Sequence, residues 1–220
     1  MPRRLSSFHY TAMGTKASEK RKYEQRKRAE AVAETRLRIT EAAVELHGTV
    51  GPASTTISAV ADRAGVQRHT VYRHFPSDDD LFAACSAHWA TQNPLPDPEA
   101  WRGVADPGER IRKVLGGLYS YYEGTADMLE NVYRDADSVP SLVPAIQQVE
   151  QGFKPFSDML AGACSRPGRR RRLVTAAAEH AIDFRTWHSL TRDRGLSRRQ
   201  AVELMASLVE CVGNKETVER

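Results

Sequence analysis

Apolar positions in this chain recur every three to four residues over most of its length, and no segment alternates with the period of two that a strand requires. The pattern is sharpest after Thr55. Ile57, Val60, Ala61 and Ala64 stand at i, i+3, i+4 and i+7 and predict a helix over 57–64 with one apolar stripe, capped by the hydroxyl of Thr55 or Thr56. Gly65 follows, the residue that adopts a left-handed conformation without a Cβ clash, and Val66 packs inward at the corner. A second short helix is expected over 67–74. Val71 and Phe75, one turn apart, face its core and leave Arg68, His69, Thr70 and Arg73 pointing elsewhere. Pro76 ends it, and Ser77 with Asp80 forms a capping box for the next helix, with Asp78 and Asp79 at the positive helix end.

Upstream, residues 17–47 read as one long helix of two characters. Thr35, Ile39, Ala42, Ala43 and Leu46 keep helical spacing in its second half, whereas Lys20, Arg21, Lys22, Arg26, Lys27 and Arg28 make the first half a basic arm. The first fifteen residues carry no periodicity, and Met13 is an alternative start to Met1. Downstream, Pro94, Pro96 and Pro98 exclude a helix over 93–98, because each proline lacks an N–H donor and restricts its predecessor. Beyond them, helices are expected over 108–123, 125–135, 139–163, 168–192 and 197–212. Gly124, Asp137 with Ser138, Arg166 to Gly168, and Arg194 with Gly195 separate them. Ser197 with Gln200 makes a second capping box, and the arginine run 169–172 reads either as a solvated helix start or as an anion site.

Charge changes the picture more than composition does. The net charge is only +4, but it divides into +7 through Phe75 and −3 afterwards, which places an anion-binding function in the first third. The basic arm then reads as a phosphate or minor-groove contact, the alternative being a solubilising tail. The chain's 220 residues have room for two cooperating helical domains without disulfides or metal. Cys85, Cys164 and Cys211 are an odd, widely spaced set that suits a reducing cytoplasm. No apolar leader and no run of eighteen apolar residues occurs, so a cytoplasmic location is expected.

The segments ITEAAVELHGTVG, TTISAVA, AGV, VYRHFPS and the LF that follows, within about 33–84, resemble the tetracycline-repressor-like (TetR) family of bacterial transcriptional regulators. In a helix-turn-helix the N-terminal residues of the second helix meet base edges in the major groove, which makes Gln67, Arg68, His69 and Thr70 the candidates for direct readout. Arg68 matches guanine O6 and N7, Gln67 suits adenine, and the Thr70 methyl suits thymine. The resemblance implies phosphate contacts from Tyr72, His74, Thr55 and Thr56, with Arg73 beside them on the DNA-binding helix. Many relatives carry a lysine after the Pro-Ser of this segment. This chain has Asp78 there, so that phosphate contact is missing and the basic arm is its expected substitute.

The expected architecture is therefore all-α: an N-terminal three-helix helix-turn-helix DNA-binding domain plus a C-terminal helical ligand-binding and dimerisation domain. Its parts are an arm over 1–28, the DNA-binding unit over 29–76, a connecting helix over 77–93 and the regulatory domain over 94–220. The resemblance implies a homodimer built on the last two long helices, here through Leu173, Ala177, Ala181, Val202, Met205, Leu208, Val209 and Val212. Trp89, Tyr119, Tyr122, Met128, Phe153, Phe156, His180, Phe184 and Trp187 are the candidate lining of a pocket for an apolar or aromatic effector, with core packing as the alternative, and Glu123 and Asp183 are candidate selectors of a cation. The expected function is a repressor that binds a pseudo-palindromic operator as a dimer and is released by a small molecule through population shift. The alternative is a DNA-binding regulator under the control of a protein partner. No enzyme, cofactor or metal is expected: Cys85 and His88 stand at i, i+3 without further ligands at suitable spacing, and phosphate-loop and hydrolase motifs are absent.

Overall fold

The computed structural model describes residues 11–162 and 169–214. The expected break at Arg166 to Gly168, Cys164 and the first ten residues lie outside them. Helix α1 spans Thr11–Thr49, longer at both ends than its pattern suggests, and α2 (Ile57–Ala64), α3 (Arg68–His74) and α4 (Asp78–Gln92) pack around its second half. Ile39 and Ala43 of α1, Val60 and Ala61 of α2, Val71 and Phe75 of α3, and Leu81 and Cys85 of α4 are all buried in one core. Residues 18–34 of α1 stay exposed and carry the basic arm away from that core.

Local chemistry sets the boundaries of the short helices. Thr56 is the cap of α2, its hydroxyl accepting from the Ala59 N–H at 3.1 Å, while Thr55 instead donates to the Gly51 carbonyl at 2.8 Å. Gly65 sits at φ 64° in the left-handed region, and the Val66 N–H returns to the Ala61 carbonyl at 3.0 Å, which closes the helix and turns the chain toward α3. Ser77 and Asp80 exchange backbone and side-chain bonds at 3.2 Å each, completing the capping box of α4.

Helices α5 (Pro107–Asp135), α6 (Val143–Gly162), α7 (Arg169–Ile182), α8 (Phe184–His188) and α9 (Arg198–Asn214) build the second core, with a π turn over Ser189–Asp193. Two expected boundaries differ. Gly124 does not break α5: it lies on the exposed face, and its cost of about 1 kcal/mol is outweighed by burial of Tyr122, Thr125, Ala126 and Leu129 around it. The single helix expected over 168–192 is instead interrupted at Asp183. Its carboxylate accepts from the Arg185 and Thr186 N–H groups at 2.7 and 3.2 Å, starting α8. The Tyr119 and Tyr122 hydroxyls donate to the Ala181 and Ile182 carbonyls that the break frees, at 2.8 and 2.5 Å.

Helix α9 lies antiparallel to α7, with the Arg170 guanidinium donating to the Val212 carbonyl at 3.2 Å. Arg112 ties α9 to α5 through Glu203 at 2.9 Å and Glu210 at 2.6 Å. Among the described residues no helix is long and apolar enough to cross a membrane.

Candidate nucleic-acid interface and adjoining cavity

Helix α3 is locked by its apolar side and free on the other. Val71 and Phe75 are 1% and 2% exposed, while Gln67, Arg68, His69, Tyr72 and Arg73 are exposed and Thr70 and His74 are half-buried. Gln67 is the N-cap residue of α3, makes no side-chain cap bond and is exposed. The His69 ring lies 3.5 Å from the Thr70 hydroxyl. Burial and the nearby guanidinium groups of Arg73 and Arg36 push the His74 imidazole toward its neutral form. Thr56, exposed at the start of α2, and half-buried Thr55 complete the set of residues expected on the DNA side.

Arg36 was not among the residues singled out from the sequence. Its guanidinium donates to the His74 carbonyl, the C-terminal end of α3, and lies 4.0 Å above the centre of the Phe75 ring. The long helix therefore straps down the end of α3, and its exposed basic half continues from the turns just before that contact.

The other end of α1 is held by α5. The Asn131 amide donates to the carbonyls of His47 at 3.0 Å and Gly48 at 2.9 Å, and Arg134 reaches the Val50 carbonyl at 3.3 Å. The Asp135 carboxylate, bound by Arg134 at 2.8 Å, accepts the Ala53 N–H at 2.9 Å, just before the threonines that open α2. Arg134 holds this carboxylate below its ordinary range. Gly51 is required at the joint: at φ 92° a Cβ would lie 2.6 Å from Asp135 Oδ2 and collide with Arg134.

Above this joint lies a cavity of 310 Å³ between α1, α4, α5 and α6, walled by Val44 and His47, by Phe82, Cys85 and Trp89, by Tyr121, Met128 and Val132, and by Ile146 and Val149. Its lining is overwhelmingly apolar and includes no Asp, Glu, Lys or Arg among the described residues. His47 is 6% exposed, stacks on Phe82 with ring centres 5.0 Å apart, and burial lowers its pKa from 6.5 to about 4. Cys85 is buried with its thiol 3.8 Å from the Thr40 carbonyl, and burial pushes it up to about 12. No group of three or more His, Cys, Asp and Glu side chains is placed to hold a metal among the described residues.

Of the nine residues named as pocket lining, the structure brings Trp89 and Met128 to this cavity. Tyr119, Phe156 and Trp187 are buried in the core of the second domain, with Tyr119 committed to its bond with Ala181. Tyr122, Phe153 and Phe184 border a separate, more open and acidic hollow beside Glu150, Glu179 and Asp183. His180 is exposed and meets the Thr186 hydroxyl at 3.2 Å. Glu123 pairs with Arg198 at 2.9 Å. His47, Phe82, Tyr121 and Ile146 escaped the sequence reading because they come from four helices, and nothing local in the chain marks their meeting.

The residues named for self-association divide in two. Ala177, Ala181, Val202, Met205 and Val209 are at most 9% exposed and hold α7 and α9 onto the rest of the domain, and Val212 is half-buried. Leu173 and Leu208, with Leu204 beside them, remain on the outer face at 54%, 37% and 47% exposure.

Residues 39–85 match the profile of bacterial regulatory proteins of the tetR family. No curated protein matches the chain. Solved structures similar to it include a putative fatty acid metabolism regulator of Clostridium perfringens, 17% identical with a TM-score of 0.57, covering 79% of this chain and 97% of that one. NalD of Pseudomonas aeruginosa, the secondary repressor of the MexAB-OprM multidrug efflux pump, is 22% identical with a TM-score of 0.57 and coverage of 83% and 97%. FadR of Bacillus subtilis, in complex with stearoyl-CoA, is 21% identical with a TM-score of 0.51 and coverage of 81% and 97%. At these identities the likenesses establish a shared all-helical fold.

Proposed function

The chain belongs through its N-terminal module to the tetR family of bacterial regulatory proteins, and from that premise we propose that it binds a pseudo-palindromic operator as a homodimer and represses transcription until a small molecule releases it. The observation that carries the reading is the two-sided character of α3. Val71 and Phe75 fix it to the core while Gln67, Arg68 and His69, at its N-terminal end, stand free for base edges. Tyr72 and His74, with Thr55 and Thr56, then position the unit on phosphates. The exposed basic arm of α1 adds a sequence-independent contact, replacing the charge that Asp78 does not supply.

Dimerisation is supported by the outward leucines of α7 and α9, an apolar stripe that a second copy would cover by two-fold symmetry. Repression follows most simply because a dimer seated on a promoter blocks it without any activating surface. The cavity at the joint supports ligand control, since its walls include α1 and α4 of the DNA-binding unit as well as α5 and α6. Selection of binding sites from random duplex DNA tests the reading. Enrichment of a motif with two inverted halves is expected, and a pool that remains random after repeated rounds contradicts it.

A further inference from the structure

The cavity at the joint has one feature that apolar packing does not explain. His47 is more than nine-tenths buried, borders the cavity, and its imidazole makes no hydrogen bond to a described residue. Its backbone carbonyl is engaged by Asn131, but the ring has only the stacked face of Phe82. The buried side-chain nitrogen or oxygen left without a partner among the described residues is Trp187 Nε1, so the His47 ring nitrogens are not fully sealed and their hydrogen-bonding capacity stays open to water or to a guest in the cavity. The ring is neutral well below pH 7, so it offers one N–H donor and one lone pair, and no net charge.

The remaining walls define the rest of the guest. Val44, Met128, Val132, Ile146 and Val149 present hydrocarbon and thioether, and Trp89 and Tyr121 add aromatic surface. Burying a charged group here would leave it without a counter-ion, since no ionised side chain borders the space among the described residues. A volume of 310 Å³ suits a small organic molecule. We infer that the cavity binds an uncharged, largely hydrocarbon molecule carrying one hydroxyl or carbonyl group, which hydrogen-bonds to the His47 ring, and that its binding alters the affinity of the DNA-binding unit.

The second half of this inference rests on the function proposed above and on the joint beneath the cavity. His47 and Gly48 hang from Asn131, and Val50 and Ala53 from Arg134 and Asp135 one turn further along α5. A molecule that shifts the His47 ring against Phe82 therefore acts on the short segment that leads into α2, and on α4 from its other face. Ligand and DNA must then influence each other's affinity by the same factor.

The full-length protein, loaded with the neutral dye N-phenyl-1-naphthylamine, tests the site without DNA. At pH 7.5, 1-octanol is expected to displace the dye, whereas octanoate and octylammonium at equal concentration are not. Displacement by octanoate or octylammonium as effective as by octanol overturns the assignment. His47→Phe keeps the stack on Phe82 and removes the polar atoms. It should bind octanol about tenfold more weakly with dye affinity unchanged, and unchanged octanol affinity overturns the role of His47. Ile146→Trp fills the space from α6 and should abolish dye binding; retained binding overturns the location. The selected operator duplex added to the same titration should change octanol affinity, and an identical curve overturns the regulatory half. Failure to select any DNA would count against the proposed function and the regulatory half that rests on it, and not against the ligand assignment, because the displacement needs no DNA.

Discussion

The guanidinium of Arg36, in the second half of the first helix, donates to the backbone carbonyl of His74, thirty-eight residues later, at the end of the helix that carries the proposed readout residues. The same group covers the ring of Phe75 at 4.0 Å, so one side chain fixes both the end of α3 and its main core anchor. Arg36→Ala is expected to cost roughly 1 kcal/mol of stability. Operator affinity should fall several-fold, with the preferred sequence unchanged. Thermal unfolding and fluorescence anisotropy on the selected operator and on single-base variants of it check both parts.

Stability should depend on pH through His47. Burial holds its pKa near 4 in the folded chain against 6.5 when exposed, so between these values the unfolded chain takes up a proton that the folded one refuses. Folding stability therefore declines as pH drops from 6.5 toward 4 and levels off below, by about 3 kcal/mol in all. Asp135 acts in a separate window. Arg134 lowers its pKa, so its contribution is intact above 3.8 and disappears only at lower pH. Urea unfolding between pH 7.5 and 4 should show the decline in the native chain and a flatter curve in His47→Phe; parallel curves would contradict the origin assigned here.

Leu204 and Leu208 stand 47% and 37% exposed on the outer face of α9, whereas their neighbours Met205 and Val209 are buried. Substitution of both leucines by glutamate should leave the melting temperature nearly unaltered at the monomer level. Light scattering should show a monomer where a dimer is expected of the native chain, and operator affinity should fall by at least about tenfold. A dimer persisting in the double variant would place the interface elsewhere.

The exposed half of α1 carries Lys20, Arg21, Lys22, Arg26, Lys27 and Arg28, with Arg26 also within 3.4 Å of Glu30. Deleting residues 1–28 should weaken binding to every sequence alike. It should also reduce the slope of log affinity against log salt by roughly one for each phosphate that the arm no longer neutralises. A salt series with identical slopes for the two chains would reduce the arm to a solubilising role.

The helix-turn-helix was legible because its signals are local. Thr56, Gly65 and the pair Ser77 and Asp80 each act within four residues, and the stripe Val60, Ala61, Ala64 needs only the helical period. What escaped depends on distant partners. The break at Asp183 is stabilised by hydroxyls of Tyr119 and Tyr122 about sixty residues away, so a continuous helical pattern concealed it. Those same tyrosines looked suited to a pocket, but the structure gives their hydroxyls to the end of α7. For α7 and α9, apolar spacing marks both the inward and the outward residues, and only burial separates Met205 from Leu208. His47 read as the last residue of a helix, and its place between Phe82 and Asn131 follows from the packing of α1 against both α4 and α5.

The proposed function turns on the N-terminal end of α3 reading DNA, with Arg68 as its principal contact. Site selection from one random duplex pool, carried out in parallel with the native chain and Arg68→Ala, is the decisive experiment. The native chain should enrich an inverted repeat. The variant should lose preference at one symmetry-related position in each half-site, at a cost of roughly 1–3 kcal/mol, while the rest of the motif survives. The same motif selected with the same stringency by both chains would contradict the role given to Arg68 and, with it, the reading of α3.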